Sequence, residues 1–183
     1  MLTSYTVETA PEGSKVFLKE AEASFGFIPN VIKILAGSPG TYEAYSTLFE
    51  IFFHKTTLSM LEAQIVLMTS SLENKCQYDV AAHSWGLELT KAPQDVIDSL
   101  RNGIKINDPK LEMLRLFTKE LIVNHGHVSR DCVQRFLDAG YTENNILEIL
   151  VGLAAKLISN FSNSIADTEL DDSMLRHKWN VIK

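Results

Sequence analysis

The stretch Ser59–Gly86, SMLEAQIVLMTSSLENKCQYDVAAHSWG, decides how the rest of the chain is read. Ser59 and Glu62 form an S-x-x-E capping box, which starts a helix through the apolar run AQIVLMTSSL. Asn74 and Lys75 interrupt that run, and a second helix is expected from near Cys76 to about Leu89. On this second helix Cys76, Asp79 and His83 stand at i, i+3 and i+7. That spacing stacks a thiol, a carboxylate and an imidazole on one face. Such a face suits catalysis, and the stretch therefore carries the fold and the candidate chemistry together.

Working outward, the same helical spacing recurs on both sides. Residues 1–13 read as an N-terminal arm, because Pro11 and Gly13 break any early pattern. VFLKEAEASFGF is helical up to Gly26, and FGFIPNVIKIL reads as a buried turn entering a short helix at Asn30. Ser38-Pro39 starts the aromatic helix TYEAYSTLFEIFFH. Pro93 opens a short helix closed by Gly103, and Asp108-Pro109 caps LEMLRLFTKELIVNHG. Ser129 caps RDCVQRFLDAG. Thr142 caps the last long helix, ENNILEILVGLAAKLISNFSNSIA, whose apolar residues run almost all round and predict a central position. DTELDD reads as a loop, and residues 173–183 as a C-terminal tail. No segment alternates apolar and polar residues as a strand does. The expected fold is all-α: one single-domain helical bundle of about eight helices.

Composition narrows the function classes. The 183 residues suffice for one compact domain with a sizeable core. A net charge of −6 speaks against a nucleic-acid binder, which presents a basic face. No run of about 18 apolar residues is evident, so no membrane span is expected. The N-terminal residues lack the pattern of a secretory signal. Two cysteines, Cys76 and Cys132, do not make a disulfide framework, and a cytoplasmic setting follows as the expectation.

The order of these features resembles the carboxymuconolactone decarboxylase superfamily. The carriers are the FGFIPN turn, the Ser-Pro helix, the Cys76 helix ending in AAHSWG, and GYTENNILEIL at residues 140–150. More narrowly, the chain is similar to the alkylhydroperoxidase D-like, peroxidase-related branch, from roughly Gly13 to Asp172. The resemblance implies an all-helical fold, homo-oligomers (trimers or hexamers), no cofactor, and an antioxidant oxidoreductase acting on hydroperoxides with an external thiol reductant.

The redox-active members of that branch carry a glutamate, a C-x-x-C pair, and a histidine four residues after the second cysteine. Here Cys76 occupies the first cysteine position and His83 the histidine position. Asp79 replaces the second cysteine and Gln64 the glutamate, with Glu62 two residues earlier. A thiol peroxidase attacks the peroxide with a thiolate and resolves the sulfenic acid with a second thiol. The resemblance makes the cysteine nearer the histidine the activated one, and that is the missing one. Cys132 would replace it only if the fold brought the two together.

Taken from the residues alone, each group keeps more than one reading. Cys76 at a helix start is either a dipole-activated thiolate, opposed by Asp79, or a small buried residue. Asp79 and His83 are either a general-base dyad or an ordinary i,i+4 polar pair. Cys76, Asp79 and His83 are competent zinc ligands, but seven residues of helix span about 10 Å, which is long for one ion. His125 and His127 lie at an expected helix end and read as carbonyl or solvent contacts. Tyr42, Tyr45, Phe49, Phe52 and Phe53 form a stripe of core, interface or pocket wall, and Asn160 and Asn163 either face the site or are ordinary helix-end polarity.

Three function classes follow. One is a peroxidase-like oxidoreductase with a degenerate C-x-x-D site. Another is a cofactor-free decarboxylase or isomerase using His83 as general acid/base, with Arg115, Arg130 or Lys156 anchoring a substrate carboxylate. The last is a non-catalytic helical oligomer.

Overall fold

Side-chain caps set most of the helix boundaries. The computed structural model describes residues 2–180. Nine α-helices lie among them: α1 Glu12–Phe25, α2 Asn30–Leu35, α3 Pro39–His54, α4 Met60–Glu73, α5 Gln77–Leu89, α6 Gln94–Arg101, α7 Pro109–Val123, α8 Arg130–Asp138 and α9 Glu143–Ala166. A 3₁₀ turn, Asp172–His177, follows. No strand occurs among the described residues, and the fold is all-α.

The caps read from the sequence are made. Ser38 accepts from Thr41 N, Asp108 from Lys110 N and Leu111 N, and Ser129 from Cys132 N. At Ser59 both halves of the capping box are present, so Glu62 is committed to the start of α4. The break after α4 is a Schellman reversal. Lys75 takes a left-handed φ of 54°, its N–H donates to Leu72 O, and Cys76 N–H donates to Ser71 O. Glycine usually fills that position, which is why the sequence marked only an interruption there. The reversal delivers Cys76 as the N-cap of α5.

α4 is the helix buried all round: every residue from Ala63 to Ser71 is buried. It packs against α5, α7 and α9. The sequence assigned the central position to α9. That helix does pack against α2, α3, α4 and α5, but it leaves Leu147, Leu150, Leu157, Phe161 and Ile165 exposed. Its apolar character therefore has two causes, a core face and a bare outer face. Against the expectation that no such run exists, α9 is long and apolar enough, by length and composition, to cross a membrane. Its inner face carries the buried polar residues Lys156, Asn160 and Asn163, as befits a core helix packed on other helices. Gly152 lets α3 approach α9: a Cβ there would lie 2.6 Å from Phe52 Cζ.

Two apolar clusters result. One gathers Phe52, Ile65, Leu67, Phe117, Phe136 and Cys132 between α3, α4, α7, α8 and α9. The other gathers Leu18, Val31, Tyr42, Cys76, Tyr78 and Met174 around α1, α2 and the start of α5. The ends of the chain are more structured than an arm and a tail. α1 begins at Glu12, within the expected arm, and Tyr5 N–H donates to Lys33 O. After the 3₁₀ turn, Trp179 is buried and its indole donates to Arg101 O. Apolar side chains too sparse to show a period cause both attachments. Residues 181–183 of the expected tail lie outside the described residues.

Candidate active site

The site is built by α4, α5 and α9. Cys76, Asp79 and His83 all lie on the buried side of α5. The structure then divides them. Asp79 is the hub of a buried charge cluster. Lys156 Nζ of α9, fully buried, lies 3.0 Å from Asp79 Oδ1, in an ion pair rather than a directed hydrogen bond. Asn160 Nδ2, one turn along α9, donates to Asp79 Oδ2 at 2.5 Å. Asn160 Oδ1 in turn accepts from Asn74 Nδ2 at 3.0 Å, which ties the cluster to the end of α4.

The Cys76 thiol donates to Asp79 Oδ2 at 3.4 Å. Burial, reinforced by the Asp79 charge, pushes that thiol up to about 12. At neutral pH it is a thiol and not a thiolate, so the helix dipole does not prevail. Burial works against ionising Asp79 too. The Lys156 charge and the Asn160 hydrogen bond outweigh it and hold the carboxyl below its usual range.

His83 stands apart from this cluster. No hydrogen bond joins it to Asp79. Instead Nδ1 pairs with Gln64 Oε1 of α4 at 3.1 Å. An amide oxygen only accepts, so Nδ1 carries the proton and the lone pair sits on Nε2. Nε2 is buried and has no partner among the described residues. Burial, then the Lys156 charge, pushes the imidazole down to about 3, and it is neutral throughout the physiological range. Gln64 is itself held: a Cβ on Gly86 of α5 would lie 3.1 Å from Gln64 Nε2.

The expected Asp79–His83 dyad is therefore replaced by two separate pairings. An i,i+4 spacing permits that contact but does not choose it. Lys156 and Asn160 reach Asp79 from a helix that packs across the site.

His83, Gln64 and Asp79 line a cavity of about 630 Å³ enclosed by α1, α2, α3, α4 and α5. Most of the aromatic stripe faces it: Tyr42, Tyr45, Phe49 and Phe53 form its wall with Trp85. Phe52 belongs to the core instead. Burial, then Asp79, raises the Tyr45 phenol, which remains a protonated donor. No lysine or arginine lines this cavity. The expected carboxylate anchors lie elsewhere. Arg115 is engaged by Glu112 at 2.6 Å on α7, Arg130 is exposed at the start of α8, and Lys156 is spent on Asp79.

Cys132 lies in the other apolar cluster, and both cysteines are free. It does not stand in for the missing thiol. His125 and His127 are exposed beyond α7. No three His, Cys, Asp or Glu residues group as metal ligands among the described residues. Sequence reasoning missed Lys156 and Asn160 as partners of Asp79. Their signal was there: two polar residues four apart on the inner face of an apolar helix must meet a polar partner.

Sequence comparison with protein families and with curated proteins finds no match. Comparison with solved structures does. The alkylhydroperoxidase core of an uncharacterized peroxidase-related protein from Ralstonia eutropha superposes with a TM-score of 0.82 at 20% identity, covering 94% of this chain and 92% of that one. The fold is that of the alkylhydroperoxidase D core. A second peroxidase-related protein, from a Silicibacter species, matches at TM-score 0.75 and 18% identity over 90% of this chain and 87% of the other. The debrominase Bmp8, solved in complex with 2,3,4-tribromopyrrole, matches at TM-score 0.79 and 16% identity over 97% and 95%. The alkylhydroperoxidase D fold thus serves more than one activity, and the side chains above must decide what it does here.

Proposed function

We propose that this chain is a cofactor-independent acid–base enzyme on an alkylhydroperoxidase D fold, acting on a small, neutral, largely apolar ring compound. The observation that carries it is His83: its Nε2 is buried and unpartnered and the residue lines an aromatic cavity, while the only nearby thiol is protonated and tied to Asp79. Nε2 takes a proton from the substrate and returns it to another atom of the same molecule, an isomerisation with no net redox change. Because burial and Lys156 hold the imidazole at about 3, the step calls for a substrate with an acidic proton. Gln64 fixes the tautomer and the ring plane. Tyr45 supplies a hydroxyl donor in the same cavity. With no lysine or arginine in the lining, the cavity favours neutral substrates over carboxylates.

A hydroperoxidase reading asks for a thiolate and a resolving thiol. Burial and Asp79 withhold the first, and Cys132 lies in a different cluster. Two assays test the proposal. Hydroperoxide turnover with dithiothreitol should be the same in the wild type and Cys76→Ser. Titration with 2,3,4-tribromopyrrole or indole as neutral ring probes should shift the His83 Nε2 resonance, with binding lost in His83→Ala. Turnover that depends on Cys76, with a His83 resonance that ignores the probes, would overturn it.

We further propose that the chain works in the cytoplasm as a homo-oligomer, with the bare face of α9 as its contact. Leu147, Leu150, Leu157, Phe161 and Ile165 recur there at helical spacings of three, seven, four and four residues. Leu157→Glu should reduce the mass measured by light scattering to that of one chain. An unchanged mass would place the contact elsewhere.

A further inference from the structure

A second cavity, about 590 Å³, lies on the other side of the first turn of α5. It is bounded by that turn, the end of α9 and the segment leading to the 3₁₀ turn, and Cys76 and Tyr78 contribute to its wall. Asn163 of α9 lines it and is 2% exposed. Among the described residues neither Asn163 Nδ2 nor Oδ1 has a hydrogen-bond partner, and Thr168 Oγ1, also in the lining, is buried without one.

Helix capping does not account for that amide. The Asn163 backbone carbonyl takes the N–H groups of Asp167 and Thr168 that close α9, and the side chain takes no part. A buried side-chain amide with both ends free is costly, and proteins keep such groups where something else satisfies them. Here the residue that carries the two free ends borders a space large enough for a small molecule.

The chemistry of the occupant follows from the wall. Asn163 offers N–H donors and a carbonyl acceptor on one planar edge, which matches a group carrying an acceptor and a donor side by side. At the rim Lys75 and Lys178 stand against Asp167 and Glu169, so the charges balance and no net charge is selected. We propose that this cavity is a binding site for a small neutral molecule with a primary carboxamide edge, paired with the Asn163 amide and the Thr168 hydroxyl.

The site is separate from the His83 cavity, and the proposal does not rest on the acid–base reading. The two cavities nonetheless share Tyr78 in their walls and are linked by a hydrogen bond. Cys76 borders the second, Asp79 borders the first, and the Cys76 thiol donates to Asp79 across the turn.

Benzamide is the probe that tests this, with benzoate and toluene as controls. Added to the isotopically labelled full chain, benzamide should shift the Asn163 side-chain NH2 resonances saturably, and the controls should not. Asn163→Leu should weaken benzamide binding at least about tenfold, the scale of losing a paired hydrogen-bonding edge. His83→Ala should leave it unchanged. Wild-type resonances carry the test even if Asn163→Leu folds poorly. Unmoved Asn163 resonances at the solubility limit would overturn the proposal and leave the amide to water or to a second copy of the chain. Equal binding by Asn163→Leu, or loss in His83→Ala, would overturn it as well.

Discussion

The first and second turns of α5 differ sharply although both are buried in the same helix. At the first turn, Asp79 receives an ammonium, an amide and a thiol, so both of its carboxylate oxygens are engaged. At the second turn, His83 has one nitrogen bound to Gln64 and the other free. The lesson is that burial alone does not make a site. A saturated buried group works as structure, and an unsatisfied one beside a cavity is available for chemistry. Asp79 makes the first turn an ionic anchor between α5 and α9.

The largest test of this contrast is Lys156→Met. It leaves the Asp79 charge buried and unpaired, so stability to denaturant should fall by about 3–5 kcal/mol. Asp79→Leu combined with Lys156→Met should recover most of the loss, because an apolar pair of similar volume replaces the ions. If Lys156→Met proves harmless, the first turn is not an anchor.

The next test is acid. The folded His83 titrates near 3 and the unfolded group near 6.5, so between those values the unfolded chain binds a proton that the folded chain refuses. Stability from this group is full above pH 6.5 and falls by about 1.4 kcal/mol per pH unit on acidification towards 3. His83→Gln should flatten that part of the stability–pH profile. A slope that persists in the variant would assign it to other groups.

A finer probe is Gly86→Ala. The new Cβ presses on the Gln64 amide at 3.1 Å, while alanine improves helix propensity by up to about 1 kcal/mol. Stability should hold or rise, and the His83 Nδ1 resonance should move as Gln64 turns away. A static resonance would show that Gln64 tolerates the methyl group without releasing His83.

The smallest expected effect belongs to Cys76→Ser. Its hydroxyl still donates to Asp79, so the stability change should stay within about 1 kcal/mol. The wild-type thiol should alkylate slowly at neutral pH in the folded protein. Fast alkylation would make the first turn chemically active after all and erase the contrast with His83.

Much of the scaffold was legible because helix caps are local. Ser38, Ser59, Asp108, Ser129 and Thr142 each bond to a backbone N–H two or three residues ahead. The 3₁₀ turn was not legible, since six residues carry no periodicity. Nor was the Schellman break, where lysine stands in the glycine position. The face shared by Cys76, Asp79 and His83 was also readable, since helical spacing alone puts them there.

By itself, then, the sequence determined the all-α character, the helix order, and which reactive side chains share one side of α5. Only the tertiary structure decided what those side chains meet. Asn160 lies 81 residues from Asp79 and Gln64 lies 19 from His83. Such partners are chosen by how α4 and α9 pack across α5, and packing is a collective outcome of the whole core. Caps and periodicity are set within a few residues, whereas the charge state of a buried group is set by whichever distant atoms replace its water. That replacement made Asp79 an anchor, kept Cys76 a thiol, and left one nitrogen of His83 unpartnered in a residue that lines an aromatic cavity.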